Sequence, residues 1–395
     1  MSTTPVYDPT KIWTTLLTNR GYLAGLLVLN HTLRKHGSNY QLVVIISGPV
    51  IEDRGFRDVL QAAEIPVKIV ETIQPPNEIK KGPWEKLAAF NFTEYERIVV
   101  LDSDQIVLQN LDELMTMDLP DGKIAASLAC TCNPKKVAHY PKDWFLYGRV
   151  PENCGFSAVD PATGKLKPAS VASPKHRHKL NGGTFVLRPS ESQFETLMHV
   201  MNTDPTVPSW TFFEQDLLTL VYRDKWIHIP HIYNAMKPLR ECHSNLWRDE
   251  DIKVLHYILQ KPWQSRTVTK DTIGITHQLW WDAYAELESN WHRAGNATRD
   301  QLWKDVVEPQ VAPKESGFDI SSVWEKVALP HGIIGRQLPG VLGIFESFKT
   351  TEFIPGYVFL LILGGVLYGL YLGGTSIGIT RRGNVGATRN TRKRQ

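Results

Sequence analysis

Cysteine is scarce in this sequence, and its scarcity excludes one class of protein. The chain has 395 residues but only four cysteines, Cys130, Cys132, Cys154 and Cys242. Small secreted proteins that depend on disulfides carry many more cysteines for their length. Cys130 and Cys132 are separated by one residue, which is too tight for the usual zinc-binding spacing. We therefore expect buried thiols, with a local disulfide or a place in a substrate-binding loop as alternatives.

The main part of the chain also lacks an excess of positive charge. The formal net charge is +3, yet six of the 44 basic residues lie beyond residue 380 and no acid does, which leaves 38 basic residues against 41 acidic ones. A nucleic-acid-binding domain normally carries a basic surface. We therefore expect no nucleic-acid partner.

No apolar segment typical of a secretory signal opens the chain, because residues 1–12 are polar and contain proline. Residues 353–380, in contrast, carry no charge and are largely apolar. A helix that spans a bilayer needs about 20 apolar residues. We predict a transmembrane helix at 353–380, after a linker at 313–352 and before a basic tail at 381–395. An apolar helix docked on the core is the alternative.

Short apolar runs alternate with helical patterns through the first third of the chain. Strands are predicted at 12–17, 42–46, 67–70 and 98–101, and helices at 22–36, 52–63 and 84–92. After an irregular insertion at 121–179, strands are predicted at 183–187 and 226–229, and helices at 190–201, 213–222 and within 264–312. This alternation predicts an α/β fold whose ligands lie beyond the carboxyl ends of the strands.

Asp102 and Asp104 follow an apolar run that is predicted as a strand, with Ser103 between them. Residues i and i+2 of an extended segment point to the same side, so the two carboxylates repel each other and favour a proton or a cation. Hard oxygen ligands suit Mn²⁺ or Mg²⁺, and such an ion can hold a departing diphosphate. Acidic pairs at this spacing also arise by chance, so the motif alone decides nothing.

His256 ends another apolar stretch, and Lys261 follows it closely. A neutral imidazole beside the two aspartates would complete a three-ligand site with room for phosphate oxygens. Lys261 would then offset charge on the leaving phosphate. One histidine among 13 is, however, more often an ordinary core or surface residue.

The residues after the first predicted strand admit two interpretations. Thr18 and Asn19 either cap the next helix or lie beside a base or ribose, on which Tyr22 could stack.

Two later polar segments are equally open. The segment Asn181-Gly182-Gly183 is either a plain turn or a loop that a sugar approaches closely. Glu214 and Gln215 either cap a helix or face the sugar.

Taken in order, these segments resemble glycosyltransferase family eight, the glycogenin and galactinol-synthase group. The resemblance spans about residues 12–263. The segments that carry it are Thr15–Leu29, Trp84–Leu87, Val99–Asp104, Asn110–Leu114, Leu180–Val186, Glu214-Gln215, Pro230–Asn234 and His256–Trp263.

The resemblance implies a single Rossmann-like GT-A domain with a mixed central sheet, which we expect over residues 1–312. It implies a retaining transfer of a hexosyl or hexuronosyl unit from a UDP-sugar to a hydroxyl acceptor, with Mn²⁺ or Mg²⁺ as cofactor. The implied metal ligands are Asp102, Asp104 and His256. The implied catalytic residues are Glu214, Gln215 and Lys261. Further donor contacts are implied for Leu16, Thr18, Asn19, Tyr22, Lys86, Asp102, Ser103, Asn181, Gly182 and Lys261.

The chain departs from the family pattern in ways that bear on function. Residue 214 is Glu where the family usually has Asp, which puts its role beside the anomeric carbon in question. No tyrosine lies between Asn234 and His256, so self-glucosylation of the glycogenin kind is not expected. The Cys130–Cys132 pair and the insertion are similar to galactinol synthase, which points to an inositol-containing lipid or glycan as acceptor.

Other functions and the membrane topology stay open. A catalytically inactive membrane scaffold that binds nucleotide sugar is the main alternative to an enzyme. A nucleotidyltransferase would carry a Gly-rich basic loop near its N-terminus. The basic tail favours a lumenal catalytic domain, whereas the missing signal favours a cytosolic one. We expect a Golgi or ER membrane, and the sequons at Asn30, Asn91 and Asn296 do not decide the side.

Overall fold

The structure is a computed structural model that describes residues 7–76, 82–146, 151–170, 173–266, 272–293 and 295–313. All of them belong to one compact unit, Met1–Pro313. The predicted transmembrane helix at 353–380, its basic tail and the linker beyond residue 313 lie outside the described residues. Within those residues, no helix is both long enough and apolar enough to cross a membrane.

Ten strands form two sheets in the part of the chain that the structure describes. They are β1 Lys11–Leu17, β2 Gln41–Ile46, β3 Val67–Ile69, β4 Arg97–Leu101, β5 Gln105–Val107, β6 Ala125–Leu128, β7 Leu180–Leu187, β8 Ile227–His228, β9 Ala235–Met236 and β10 Val254–His256.

The main sheet has the order β3-β2-β1-β4-β7-β6-β8 and is mixed. Strands β3, β2, β1 and β4 are mutually parallel, as helical crossovers between strands require. Strand β7 then runs antiparallel to both β4 and β6. The small sheet has the order β5-β10-β9, with β10 antiparallel to β5 and parallel to β9. The predicted α/β class with a mixed central sheet is therefore confirmed.

The helices cover both faces of the main sheet. They are α1 Leu23–Lys35, α2 Arg54–Ala62, α3 Lys142–Leu146, α4 Glu191–Thr203, α5 Glu214–Val221, α6 Leu239–Cys242, α7 Thr272–Arg293 and α8 Ala297–Leu302. One apolar core lies beneath α1, α2 and α7, and includes Trp280, Trp291 and Trp303. A second core lies beneath α4, α5 and the 3-10 helix Trp84–Asn91. The sheet is thus shielded from water except at its edges.

Two segments differ from the sequence-based expectation. The expected insertion at 121–179 opens with β6, which pairs with β7 and β8 inside the main sheet, so the irregular chain begins only after Leu128. The segment Asn181-Gly182-Gly183, predicted as a turn or loop, lies within β7. Small and polar residues such as Ala125 and Ser127 have a low strand propensity, so the sequence alone does not predict β6. Pairing with a neighbouring strand on each side stabilises it instead.

Candidate active site

A cavity of about 740 Å³ opens where the parallel strands end. This is the edge at which ligands bind in open α/β sheets. Eight of the predicted site residues line it, namely Leu16, Thr18, Asn19, Tyr22, Lys86, Asp102, Ser103 and Asp104. The structure therefore brings the expected nucleotide contacts and the two aspartates to one place.

The turn that carries Asp102 and Asp104 is held by backbone hydrogen bonds. The Asp102 N–H donates to the carbonyl of Gly183 at 2.8 Å, and the Gln105 N–H donates to the carbonyl of Asp102 at 3.1 Å. The Tyr257 N–H donates to the carbonyl of Asp104 at 2.9 Å. Because the turn is tied to β7 and to the end of β10, its two carboxylates have a fixed position relative to His256.

The imidazole of His256 meets both carboxylates. Its Nε2 lies 3.2 Å from Asp104 Oδ1 and 3.7 Å from Asp102 Oδ2. One donor atom from each of these residues lies within 4.8 Å of the others. These three side chains come from the end of β4 and the end of β10, as the sequence predicted.

Asn234 fixes which nitrogen of His256 faces the aspartates. Asn234 Nδ2 donates to Asn181 Oδ1 at 2.8 Å, which leaves its Oδ1 to accept from His256 Nδ1 at 2.8 Å. Nδ1 of the ring therefore carries a proton, and Nε2, which faces the two carboxylates, is the nitrogen that would bind a cation in place of a proton.

The hydrogen-bond chain continues to the predicted sugar loop. Asn181 Nδ2 donates to Gln215 Oε1 at 3.0 Å, and the Gly182 N–H donates to the same oxygen at 3.1 Å. Gln105 Nε2 also donates to Asn234 Oδ1, at 3.2 Å. A continuous polar chain thus connects His256 to Gln215 at the start of α5.

The ammonium of Lys86 is buried and lies between two carboxylates. Its Nζ is 2.7 Å from Asp102 Oδ1 and 2.6 Å from Glu214 Oε1. Burial opposes its charge, but Asp102 and Glu214 outweigh burial, and the pKa of the Lys86 ammonium is raised. Burial has the opposite effect on the pKa of Glu214 and raises it, and Lys86 offsets this only in part. Because Glu214 is 4% exposed and bound to Lys86, its first role is to hold that lysine in place.

Lys261 makes the second ion pair of the site. Its Nζ contacts the carboxylate of Asp104 and donates to the carbonyl of Tyr257. Burial opposes ionisation of Asp104, but His256 and Lys261 outweigh it and hold the pKa of that carboxyl below its usual range. The Nζ of Lys261 also lies 5.7 Å from the ring centre of Tyr22. Tyr22 itself packs edge-on against Trp263, with ring centres 5.7 Å apart.

The donor set fits a divalent cation. Three carboxylates, on Asp102, Asp104 and Glu214, face two ammonium groups, on Lys86 and Lys261. With His256 as a neutral ligand the cluster carries one net negative charge. A divalent ion would reverse that sign and leave the site attractive to a diphosphate. Two carboxylates and one imidazole are ligands that Mn²⁺ accepts.

Gly183 is required for this geometry because a side chain at this position would collide with His256. A Cβ added at Gly183 would lie 2.7 Å from His256 Nδ1 and closer still to its Cε1. The close approach therefore takes place between β7 and the imidazole. At Gly182 an added Cβ would meet Gln215 and Glu214 at a milder 3.3 Å.

Asn19 fits the structural interpretation of its segment. Its Oδ1 accepts the N–H of Gly21 at 3.0 Å and caps the 3-10 helix Arg20–Tyr22. It also lines the cavity together with Thr18. The two interpretations of this turn are compatible, because the cap fixes the loop that faces the cavity.

Several site residues carried no role in the sequence analysis. Asn234 and Gln105 build the hydrogen-bond network around His256. Ser47 and Thr72 line the cavity, and each follows a parallel strand, β2 or β3. The rule that ligands lie at strand ends could have found the latter two, whereas Asn234 belongs to the segment Pro230–Asn234 of the family resemblance but was given no role there.

Sequence comparisons relate the chain to a known protein family. Residues 14–267 match the family described as Glycosyl transferase family 8. Galactinol synthase 1 of Ajuga reptans is 32% identical over 289 residues, which cover 69% of this chain and 81% of that protein. Galactinol synthase 2 of Arabidopsis thaliana is 29% identical over 300 residues, which cover 71% and 84%.

A solved structure supports the fold. The apo structure of the bifunctional glycosyltransferase WbbM superposes with a TM-score of 0.50 at 17% identity, and covers 77% of this chain and 53% of that one. At that identity the likeness concerns the GT-A-like architecture alone.

The fold and the matches together define an enzyme of the glycosyltransferase class that uses a nucleotide sugar. Since the family match covers most of the chain, the protein belongs to glycosyltransferase family 8. The family predicted from the ordered motifs and the predicted class of enzyme, a hexosyltransferase, are both confirmed.

Proposed function

We propose that this glycosyltransferase is a retaining, metal-dependent enzyme that moves a hexosyl or hexuronosyl unit from a UDP-sugar to a hydroxyl acceptor. The observation that carries the proposal is the convergence of Asp102, Asp104 and His256 within 4.8 Å, with both aspartates lining the 740 Å³ cavity. A divalent ion, Mn²⁺ before Mg²⁺, bound to these three residues would neutralise the diphosphate as it leaves.

The residues around the cavity suit a nucleotide. Leu16, Thr18 and Asn19 would lie beside the base and ribose, and Tyr22 would stack on the base, with Trp263 supporting its ring. Ser103 would contact the donor from the turn between the two aspartates. Uracil is the base proposed because the family resemblance implies it.

The lysines would act on the charge that develops as the bond to the diphosphate breaks. Lys261 would offset charge on the departing phosphate, because its Nζ already lies beside Asp104. Glu214 would keep the ammonium of Lys86 fixed close to Asp102. Asn181, Gly182 and Gln215 would orient the sugar through their shared hydrogen bonds.

The transfer then follows from this arrangement. The bond between the anomeric carbon and the diphosphate oxygen breaks, and the acceptor hydroxyl attacks from the same face. The hydroxyl proton passes to the departing diphosphate oxygen, so no base from the protein is required. Gln215 and the carboxylate of Glu214 would stabilise the positive charge on the sugar ring.

The acceptor we propose is an inositol-type compound. The relatives named above are galactinol synthases, the group whose resemblance to this chain implies an inositol-type acceptor. A second cavity, of about 690 Å³, lies between the insertion and α5 and includes Lys142, Lys179 and Arg223 in its lining. Its basic residues suit an inositol that carries phosphate, as in an inositol lipid.

The decisive experiment measures UDP release from a panel of UDP-sugars by the purified full chain, with Mn²⁺, with Mg²⁺ and with chelator. We expect one donor to be turned over, with the rate lost on chelation and in Asp104→Ala. The exposed Asp121→Ala is the matched control and should keep the wild-type rate. UDP binding by calorimetry without turnover of any donor would instead identify an inactive scaffold.

The acceptor is tested separately by mass spectrometry of the products formed from free inositol and from an inositol phospholipid. A product heavier by one hexosyl or hexuronosyl unit with either compound supports the proposed class. Turnover confined to donor hydrolysis, with neither acceptor modified, contradicts it.

We further propose attachment to a Golgi or ER membrane through residues 353–380. Arginine substitutions at Leu361 and Leu363 should release the chain from membranes washed with alkaline carbonate. The side of the membrane is readable from glycosylation, because Asn91 and Asn296 are exposed while Asn30 is buried in α1. A lumenal enzyme should be modified at one or both exposed sequons and never at Asn30. A cytosolic one should carry no glycan.

A further inference from the structure

Three cysteines and a histidine meet at a point separate from the cluster of Asp102, Asp104 and His256. Sulfur atoms of Cys130, Cys132 and Cys154 and a ring nitrogen of His243 lie within 4.8 Å of one another. We propose that these four residues bind a structural zinc ion in a tetrahedral Cys3His site.

The distances agree with such a site. Zn–S bonds of about 2.3 Å and Zn–N bonds of about 2.0 Å in a tetrahedron place neighbouring ligand atoms about 3.5–3.8 Å apart. Here Cys132 Sγ lies 3.2 Å from His243 Nε2. Only a small outward shift would therefore admit the ion.

The backbone supports one of the sulfurs in the way that metal thiolates require. The N–H of Thr131, between the two neighbouring cysteines, points at Cys154 Sγ at 3.4 Å. Backbone N–H groups directed at ligand sulfur stabilise its negative charge and orient it. The close spacing of Cys130 and Cys132 therefore has a structural reason, because the residue between them directs its N–H at the third sulfur ligand, Cys154.

The chemistry of the ligands selects zinc over the ion proposed for the active site. Soft thiolates and imidazole favour Zn²⁺, whereas carboxylates favour Mn²⁺ and Mg²⁺. The site is also enclosed, since Cys132, Cys154 and His243 are buried. Cys132 and Cys154 belong to a third apolar core, with Leu128, Phe156, Val159, Met236, Leu239 and Leu246. Four protein ligands with no open position characterise a structural rather than a catalytic zinc.

The spacing of Cys130 and Cys132 does not by itself indicate this site, because the other two ligands lie elsewhere in the chain. His243 stands 111 residues beyond Cys132, and Cys154 lies in the insertion. The fold joins them because β6 ends next to the segment between β9 and β10. Linear spacing cannot reveal a site whose ligands come from three separate segments.

The position of the site indicates its purpose. Cys130 and Cys132 follow β6, which pairs with β7 at Asn181. His243 directly follows α6 as its C-cap, and α6 follows β9, the strand that pairs with His256 on β10. A zinc ion here would tie the insertion to β7, which carries Asn181, and to β10, which carries His256.

The test measures zinc in the purified full chain by elemental analysis, after dialysis against Mn²⁺. We expect about one zinc per chain, retained in Asp104→Ala and lost to background in Cys132→Ser, Cys154→Ser and His243→Ala. Cys242→Ser is the matched control. Its thiol lies beside those of Cys130 and Cys132 but outside the ligand set, so it should keep the zinc.

The absorption spectrum of the protein with cobalt in place of zinc reports which kinds of atom bind the ion. The Co²⁺-loaded protein should show the strong visible absorption of tetrahedral cobalt and a thiolate-to-cobalt charge-transfer band, neither of which an oxygen-rich site produces. Asp104→Ala should leave both bands unchanged. Absorption typical of six-coordinate cobalt would overturn the proposal.

A second measurement needs no substitution and so does not depend on whether the variants fold. Alkylation followed by peptide mass spectrometry should modify Cys242 first, and Cys130, Cys132 and Cys154 only after zinc is chelated. Equal alkylation before and after chelation would overturn the proposal, as would a disulfide among these cysteines in protein kept from oxidants. Zinc kept in His243→Ala but lost in Cys242→Ser would overturn the assignment of the fourth ligand.

Discussion

The Nδ1 atom of His256 lies 2.8 Å from the side-chain oxygen of Asn234, and this contact decides which ring nitrogen faces Asp102 and Asp104. Asn234 cannot turn its amide over, because its Nδ2 donates to Asn181. The orientation of the imidazole is therefore set by Asn234, which is not one of the three proposed metal ligands.

Asn234→Leu should lower metal affinity by about 10–100-fold, because the imidazole loses the acceptor that fixes its proton on Nδ1. The measurement is UDP release as a function of Mn²⁺ concentration. Asn234→Asp keeps that acceptor and should recover most of the affinity. Asn202→Leu, at an exposed position of α4, is the control. An unchanged metal requirement in Asn234→Leu would show that His256 does not need this contact.

Gly183→Ala should reduce kcat/KM by about 100-fold, since a displacement of about 1 Å at a reacting centre costs that much. The cause is steric, because the new Cβ would meet His256 while the backbone of Gly183 lies outside the left-handed region. Gly37→Ala offers the opposite case, with φ of +69° and open space around the Cβ. It should cost about 1 kcal/mol of stability and leave the rate unchanged. A fully active Gly183→Ala would contradict the proposed position of the imidazole.

The sequence predicts the parts of this molecule that local patterns encode. Strands β1, β2 and β4 are apolar runs, and their observed bounds differ from the predicted ones by a residue. Parallel strand ends then place Asp102 beside the residues that follow β1. These inferences need only side-chain hydrophobicity and the geometry of a parallel sheet.

The remaining parts depend on contacts between distant segments. Strand β9 has two residues and no apolar run of its own, so only its pairing with β10 defines it. Asn234 acquires its role from His256, 22 residues further along the chain. The ion pair of Lys86 with Glu214 likewise joins the 3-10 helix Trp84–Asn91 to the start of α5. No window of sequence contains both members of such pairs.

A double-mutant cycle on Lys86 and Glu214 should reveal strong coupling. Lys86→Met leaves two carboxylates, on Asp102 and Glu214, without their shared cation, and should cost about 3–5 kcal/mol of stability. Adding Glu214→Gln to that variant should restore part of the loss, because one uncompensated charge disappears. The free energy of unfolding is measured by denaturant titration for all four proteins.

The control cycle uses an exposed pair. Arg34 and Glu64, 3.3 Å apart at the surface, should couple by less than about 1 kcal/mol. Equal coupling in the two cycles would mean that burial adds nothing to the Lys86–Glu214 contact.

Lys237 should make stability depend on pH in the alkaline range. Its ammonium is buried, where it contacts the carbonyl of Gln260 and lies 3.0 Å from His277 Nε2. Burial lowers the pKa of Lys237 to about 8, against about 10.4 in an unfolded chain. Below the pKa of the folded state, the folded and unfolded chains both bind the proton. The folded chain is then destabilised because its charged ammonium is buried.

Between those two pKa values the unfolded chain binds the proton and the folded chain does not, so stability rises with pH. The gain should reach about 2–3 kcal/mol by pH ~10. Lys237→Met should remove it, because methionine fills similar space without a charge. Denaturant unfolding of both proteins across this pH range gives the difference directly, since other groups that titrate there contribute equally to each. Parallel stability curves would show that the folded state keeps Lys237 protonated throughout.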